Sequence, residues 1–191
     1  MKNLITILLL LLSTTSYSQV IDWDNFDCEI ADSVYFVEMN KFRDSLGLYT
    51  FVYSNVIHDN ISLYVTNQNI KEKRLFHPEK TDVVNNSKSS TISEIVNTLD
   101  INVYGNPILF GPYEVGSSLF TKTGGDYRFT TYSQLAKNII KVLCRSASHY
   151  KIITLEYGNI TKRIVGVGSG SIQLGEGNRI YAAFHMSKLF Y

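Results

Sequence analysis

Two hydrophobic periods, in a fixed order, set the strongest limit on how this chain can fold. From Cys28 to Leu46 the apolar residues Cys28, Ala31, Tyr35, Met39, Phe42 and Leu46 recur at three- and four-residue steps. That spacing predicts a helix over Asp27 to Leu46 with one buried face. Gly47 follows, at a place where a left-handed residue commonly ends a helix. Ser54 can cap a second helix reaching about Lys71, with Ile57, Ile61 and Tyr64 as its stripe. Thr131-Tyr132-Ser133-Gln134 forms a capping box ahead of Leu135, Ala136, Ile139, Ile140 and Leu143, so a further helix is expected to end near Arg145. Strand character gathers late, over Arg163 to Gly168 and Arg179 to Met186, with Gly175-Glu176-Gly177-Asn178 turning the chain between them. Helices first and strands late predict an α+β class with the sheet packed against helices.

The middle of the chain is less regular. Tyr49 to Tyr53 reads as extended. Lys71 to Ser90 is polar and irregular. Thr91-Ile92-Ser93-Glu94 is another capping box and predicts a short helix through Leu99. Asp100 to Tyr127 is punctuated by Gly105, Gly111, Gly116, Gly124 and Gly125 and reads as an extra hairpin or a loop over a site. The Gly166-x-Gly168-x-Gly170 run lacks the following helix that a phosphate loop requires, so these are strand glycines. His58, inside the second helix, and His185, in the last strand, read as structural, with His185 able to approach a cleft.

The first residues have the layout of a secretory signal peptide. Lys2 gives a positive start, Leu4 to Leu12 is apolar apart from Thr6, and Ser13 to Ser18 is small and polar apart from Tyr17. Cleavage is expected between Ser18 and Gln19, leaving a single domain over 19–191 and placing it in the periplasm or the medium. The apolar run is shorter than the roughly 20 residues that span a bilayer, so no transmembrane segment is expected after removal of the signal. A formal net charge of +1 argues against a general nucleic-acid binder, which needs a basic surface. In an oxidising compartment Cys28 and Cys144 either form one disulfide or remain two buried thiols, and the sequence leaves both open.

Three residues stand out for chemistry: His77, Glu94 and His149. A neutral imidazole can bind a divalent metal, and a carboxylate can bind it, orient a water, or act as general base. Each also has a plainer reading. Glu94 can serve only to close its capping box, His77 can be an exposed loop histidine, and His149 can neutralise a helix end.

Several strings, taken in order, resemble the CAP superfamily, the secreted proteins grouped with antigen 5 and the pathogenesis-related proteins. They are Tyr35-Phe36-Val37-Glu38-Met39-Asn40-Lys41-Phe42-Arg43, Ser146-Ala147-Ser148-His149, and Gly166-Val167-Gly168 leading to Tyr181-Ala182-Ala183-Phe184. The likeness runs from about Glu29 to Phe184, with Asp100 to Tyr127 unmatched, and the scarcity of cysteine is similar to the bacterial secreted branch. Leu143 and Ala147 stand where that branch has Trp and Pro, and Glu94 alone remains of a usual Gly-Glu-Asn. No equivalent of the family's second Glu is present, Asp126 being the nearest candidate.

The resemblance implies an α-β-α sandwich with a mostly antiparallel sheet flanked by helices. It also implies a secreted, non-enzymatic binding or interaction module whose cleft at His77, Glu94 and His149 takes zinc, another divalent cation or a small ligand. The alternative it implies is a secreted metal-assisted, peptidase-like hydrolase with Glu94 as base. A third reading is a surface protein that meets an extracellular protein partner through the 71–90 and 100–127 stretches.

Overall fold

The computed structural model describes residues 19–75, 108–123, 125–155 and 164–190. The signal segment through Ser18, the helix expected over 91–99, and two of the three proposed site residues, His77 and Glu94, lie outside the described residues.

Helix α1 (Cys28–Ser45) forms where the apolar period predicts it. Asp27 caps it by accepting the Ile30 N–H at 3.0 Å. Ala31, Val34, Tyr35 and Met39 are buried, and Gly47 turns the chain out of the helix at φ +70. The Asn40 amide then fixes the returning chain. It donates to the Phe51 carbonyl at 2.9 Å and accepts the Phe51 N–H at 2.8 Å. Strand β1 (Val52–Tyr53) follows directly.

The second helical segment is not uniform. Ser54 caps α2 (Asn55–Ile57), the backbone widens into a π-helical turn over His58–Ser62, and α3 (Leu63–Lys71) continues. The wide turn changes which side chains face inward. Val56, Ile57, Ile61, Ser62, Val65, Thr66 and Asn69 are buried, whereas Tyr64, expected in the stripe, is exposed.

The stretch at 100–127, expected as an extra hairpin or a loop over a site, does hold an extra hairpin, but most of its described part is a strand of the main sheet. It contains β2 (Ile108–Phe120), a 13-residue strand of the main sheet, and then a small hairpin of β3 (Lys122–Thr123) and β4 (Asp126–Tyr127). Glycines that look like punctuation are tolerated here because β2 is held by ladder bonds to a distant strand. A Cβ on Gly116 would stand 3.5 Å from the Ala182 carbonyl of that strand.

Helix α4 (Tyr132–Cys144) is capped by Thr131, and a short α5 (Ala147–Ile153) follows it. Strands β5 (Ile164–Gly175) and β6 (Arg179–Phe190) are joined by a tight turn at Glu176–Asn178. The turn falls where Gly175 to Asn178 predicts it, but β5 runs seven residues past the expected end at Gly168.

The sheet has the order β1-β5-β6-β2. β1 runs parallel to β5, and the other two pairings are antiparallel. Side chains alternate between its faces. One face presents Gly170, Ile172, Ile180, Ala182, Phe184, Met186, Val115 and Leu119, and these pack with Tyr35, Met39, Leu135, Ile139 and Leu143 of α1 and α4. The Tyr35 ring meets Phe184 edge-on at 5.4 Å. The opposite face carries Ser169, Ser171, Ala183, His185 and Glu114, and α3 with its wide turn lies over it. Helices therefore cover both faces of a mixed sheet, consistent with the α+β expectation. No helix among the described residues is long and apolar enough to cross a membrane.

The possible bridge between Cys28 and Cys144 does not form, and both thiols are free. Helices α1 and α4 start side by side, since the Asp27 N–H donates to Tyr132 Oη at 2.9 Å. Cys144, at the far end of α4, lies in a groove with Phe42 near the end of α1. Fourteen helical residues separate Cys28 from Phe42, about 21 Å at 1.5 Å per residue. A disulfide needs Cα atoms within about 7 Å.

Candidate functional site

The face of the sheet under α3 is polar where the other is greasy. Ser62 and Thr66 point down from the helical segment, one α-turn apart. Ser62 Oγ lies 2.7 Å from Ser169 Oγ and 3.0 Å from His185 Nδ1. Thr66 Oγ1 lies 3.0 Å from Ser171 Oγ and also donates to the Ser62 carbonyl at 3.0 Å. All five of these residues are fully buried. Buried hydroxyls and imidazoles are tolerated only when bonded, so the two surfaces must meet in one register.

His185 carries the network to the edge of the sheet. Its Nε2 faces Glu114 Oε2 on β2 at 3.5 Å. That is too long for a good hydrogen bond. Two ligand atoms about 2.0–2.1 Å from one tetrahedral ion lie about 3.4 Å apart, so the spacing suits a shared cation or a bridging water. Glu114 is 16 % exposed and opens this end of the network to solvent.

A second pair stands at the other end of the helical segment. Asp32 of α1 meets His58 of the wide turn, Oδ2 to Nε2, at 2.8 Å, and Asp32 Oδ1 accepts the Ile172 N–H of β5. His58 Nδ1 in turn lies 2.8 Å from Asp59 Oδ1. Burial pushes the Asp32 carboxyl up, against the pull of the bonds from His58 and Ile172. The bond to Asp32 holds His58 above the usual imidazole range, with a further contribution from Asp59. Burial, with Asp32 and Asp59 nearby, also pushes the Tyr53 phenol up to about 12. An imidazole with a carboxylate on each ring nitrogen is suited to carry two protons. Both ring nitrogens of His58 are thereby engaged by carboxylates, which leaves neither open to a metal.

Of the three residues expected to form the site, His149 alone lies among the described residues. It occupies the first turn of α5, where Ser146 caps the helix and accepts the His149 N–H at 3.5 Å. The plainer reading, a cation at a helix C-terminus, is therefore replaced, because this is an N-terminus. Helix α5 packs on α4 and β2, and its Ile153 belongs to the core that those helices share. His149 thus belongs to the layer opposite Ser62 and His58, and the described residues do not bring it together with them. Asp126 sits exposed on the small hairpin and does not stand in for a second Glu. No group of three or more His, Cys, Asp or Glu side chains is arranged around a common ion position among the described residues. The described donors compatible with a metal are His185 Nε2 and Glu114, a pair that needs further ligands to close a site.

Sequence reasoning did not identify Asp32, Ser62 or Glu114, and it read His58 and His185 as structural. A usable signal was present. Ser62, Thr66 and Asn69 recur at helical spacing, and Ser169, Ser171 and Gln173 alternate with Gly170 and Ile172. Two polar stripes of different period were available to face each other.

No protein-family model matches the chain, and no curated protein or solved structure is significantly similar to it.

Proposed function

We propose that the chain is an exported, non-enzymatic binding module of the CAP type, taking up a divalent cation or small polar ligand at the β2 edge of the sheet. The observation that carries this reading is the meeting of His185 Nε2 and Glu114 Oε2 at 3.5 Å, beside a strand that both flanking segments approach. On one side, Leu75 stands 3.9 Å from a Cβ built on Gly116 of β2. Helix α5, which carries His149, packs on β2 from the opposite face of the sheet. Helices over both faces of a largely antiparallel sheet support the α-β-α sandwich that the CAP resemblance implies. His77 and Glu94 are the further ligands proposed on that resemblance, and His149, which belongs to the opposite layer, is left out of the set. A fold alone does not fix an activity, so the reading rests on this edge.

Binding is preferred over hydrolysis. The Ser62 hydroxyl, which bonds an imidazole as a nucleophile would, is sealed from solvent. Calorimetric titration of the mature chain with Zn²⁺ tests the proposal. Wild type should give saturable heat, Glu114→Gln should weaken it, and His149→Ala, in the opposite layer, should bind as wild type does. Absence of heat would remove the cation reading, and equal binding by wild type and Glu114→Gln would place the site elsewhere.

A further inference from the structure

On the far side of the molecule from Glu114, helices α1 and α4 leave a groove of about 500 Å³ between them, lined by Glu38, Lys41, Phe42, Lys137, Ile140, Lys141 and Cys144. Its floor is apolar. Ile140 is 5 % exposed, and Phe42 and Cys144 are half-buried. Its rim is cationic. Lys41 comes from one wall, and Lys137 and Lys141 come from the other, one helical turn apart. The only acid in the lining among the described residues, Glu38, is already engaged. Its Oε1 accepts from Lys41 Nζ at 2.9 Å and from Ser133 Oγ at 3.1 Å, and its Oε2 lies 3.8 Å from Lys137 Nζ. Three ammonium groups against one buried carboxylate leave the groove with net positive charge above a hydrophobic strip.

We propose that this groove docks an acidic peptide segment of a partner protein, with one aliphatic or aromatic side chain on the Phe42–Ile140–Cys144 floor and flanking carboxylates on the lysines. The spread of charge chooses this occupant. From Lys137 to Cys144 the groove runs seven residues, about 10 Å of helix, with cations on both walls. A peptide places successive carboxylates about 3.3–7 Å apart along its length and can meet several of these lysines. A single-headed amphiphile has one carboxylate and can satisfy only one position. The engaged Glu38 also repels an acid placed too deep, which holds the carboxylates of the guest at the rim.

The test uses a fluorescein-labelled peptide, Glu-Glu-Leu-Phe-Glu-Glu, against the mature chain, with Lys-Lys-Leu-Phe-Lys-Lys and laurate as comparison probes. Anisotropy should report saturable binding of the acidic peptide that weakens with added salt. The exposed double substitution Lys137→Glu with Lys141→Glu should reduce affinity by about tenfold or more. Alkylation of Cys144 by iodoacetamide, followed by peptide mapping, gives a second readout at the groove itself. The acidic peptide should slow it several-fold and leave Cys28 unaffected. The proposal is overturned if the acidic peptide does not bind, if the charge-reversed protein binds it equally well, or if Cys144 is unprotected. Protection of Cys144 by laurate alone overturns it in favour of an amphiphile site. None of these readouts involves Glu114 or His149, so this outcome is separable from that of the cation site.

Discussion

His58 and Asp32 meet at 2.8 Å across the joint between the first two helical segments, and the same Asp32 accepts the Ile172 N–H of the sheet. One carboxylate thereby ties together a helix, a wide turn and a strand that are far apart in sequence.

This joint makes stability depend on pH in a direction that the bond fixes. His58 is held above its ordinary value of 6.5 by Asp32. A group raised on folding contributes stability that is fully present below the unfolded value and is lost as pH rises through the folded one. His58→Gln should therefore cost about 1.5–3 kcal/mol near pH 6, the range for a hydrogen bond to a charged group. The difference from wild type should shrink as the pH moves up through the raised value. Thermal melts of both proteins at intervals from about pH 6 to pH 9 would show it. A constant difference across that range would mean that the imidazolium is not the stabilising form.

Arg43 is fully buried. It donates from Nε to the Tyr49 carbonyl at 2.8 Å and from Nη1 to the Ile153 carbonyl at 2.6 Å, and its guanidinium lies 4.3 Å over the Phe51 ring. It thus fastens α5 and the 49–51 turn to α1. Arg43→Met should destabilise by about 3 kcal/mol, because two carbonyls lose charged donors. Arg43→Lys should recover less than half of that, since an ammonium on a single stem cannot fork to both carbonyls while stacking. Urea unfolding midpoints at constant slope would measure both.

Gly170 is present because nothing larger fits. A Cβ there would stand 2.5 Å from Tyr35 Cδ1 and 3.0 Å from Phe184 Cδ2, both in fully buried rings. Gly170→Ala should cost about 1–3 kcal/mol through overpacking. Gly177→Ala is the instructive comparison. Its φ is +66 with open space around it, so its cost of about 1–2 kcal/mol would come from backbone strain alone. Adding Tyr35→Phe should not relieve the Gly170→Ala defect, because the clash is with the ring edge and not with the hydroxyl.

The free thiols give a simple check on the placement of α1 beside α4. Reductant should leave the melting temperature unchanged, and alkylation of the denatured protein without reductant should label both Cys28 and Cys144. A reductant-sensitive melt, or one label too few, would contradict the side-by-side start of the two helices.

The sequence reveals elements better than it reveals partners. α1 was legible because Ala31, Tyr35 and Met39 keep one period on one buried face. α4 was legible because Thr131 and Gln134 mark its start, although the Gln134 side chain accepts from Thr130 and not from Thr131 itself. The 175–178 turn was legible from its two glycines. β2 was not, because its order comes from pairing with β6, and no local signal records a long-range ladder. The far half of β5 was missed for a related reason. Ser169, Ser171 and Gln173 look like surface, yet both serines are buried under a helix that presents Ser62 and Thr66 to them. The roles of Asp32 and Glu114 depend on which histidine each one meets, and separation along the chain carries no such information.

The wide turn at His58–Ser62 sets the phase of everything after it. A plain α-helix through the same residues would rotate the following side chains by roughly one position, about 100°. Val65 would turn toward the serines of the sheet in place of Thr66, which would leave them. The five-residue loop of backbone thus acts as a one-residue spacer. It lets His58 face the first helix while the next two turns keep their alignment with the strands below, so a chain shorter by one residue at this point could keep α3 seated while losing the grip on Asp32.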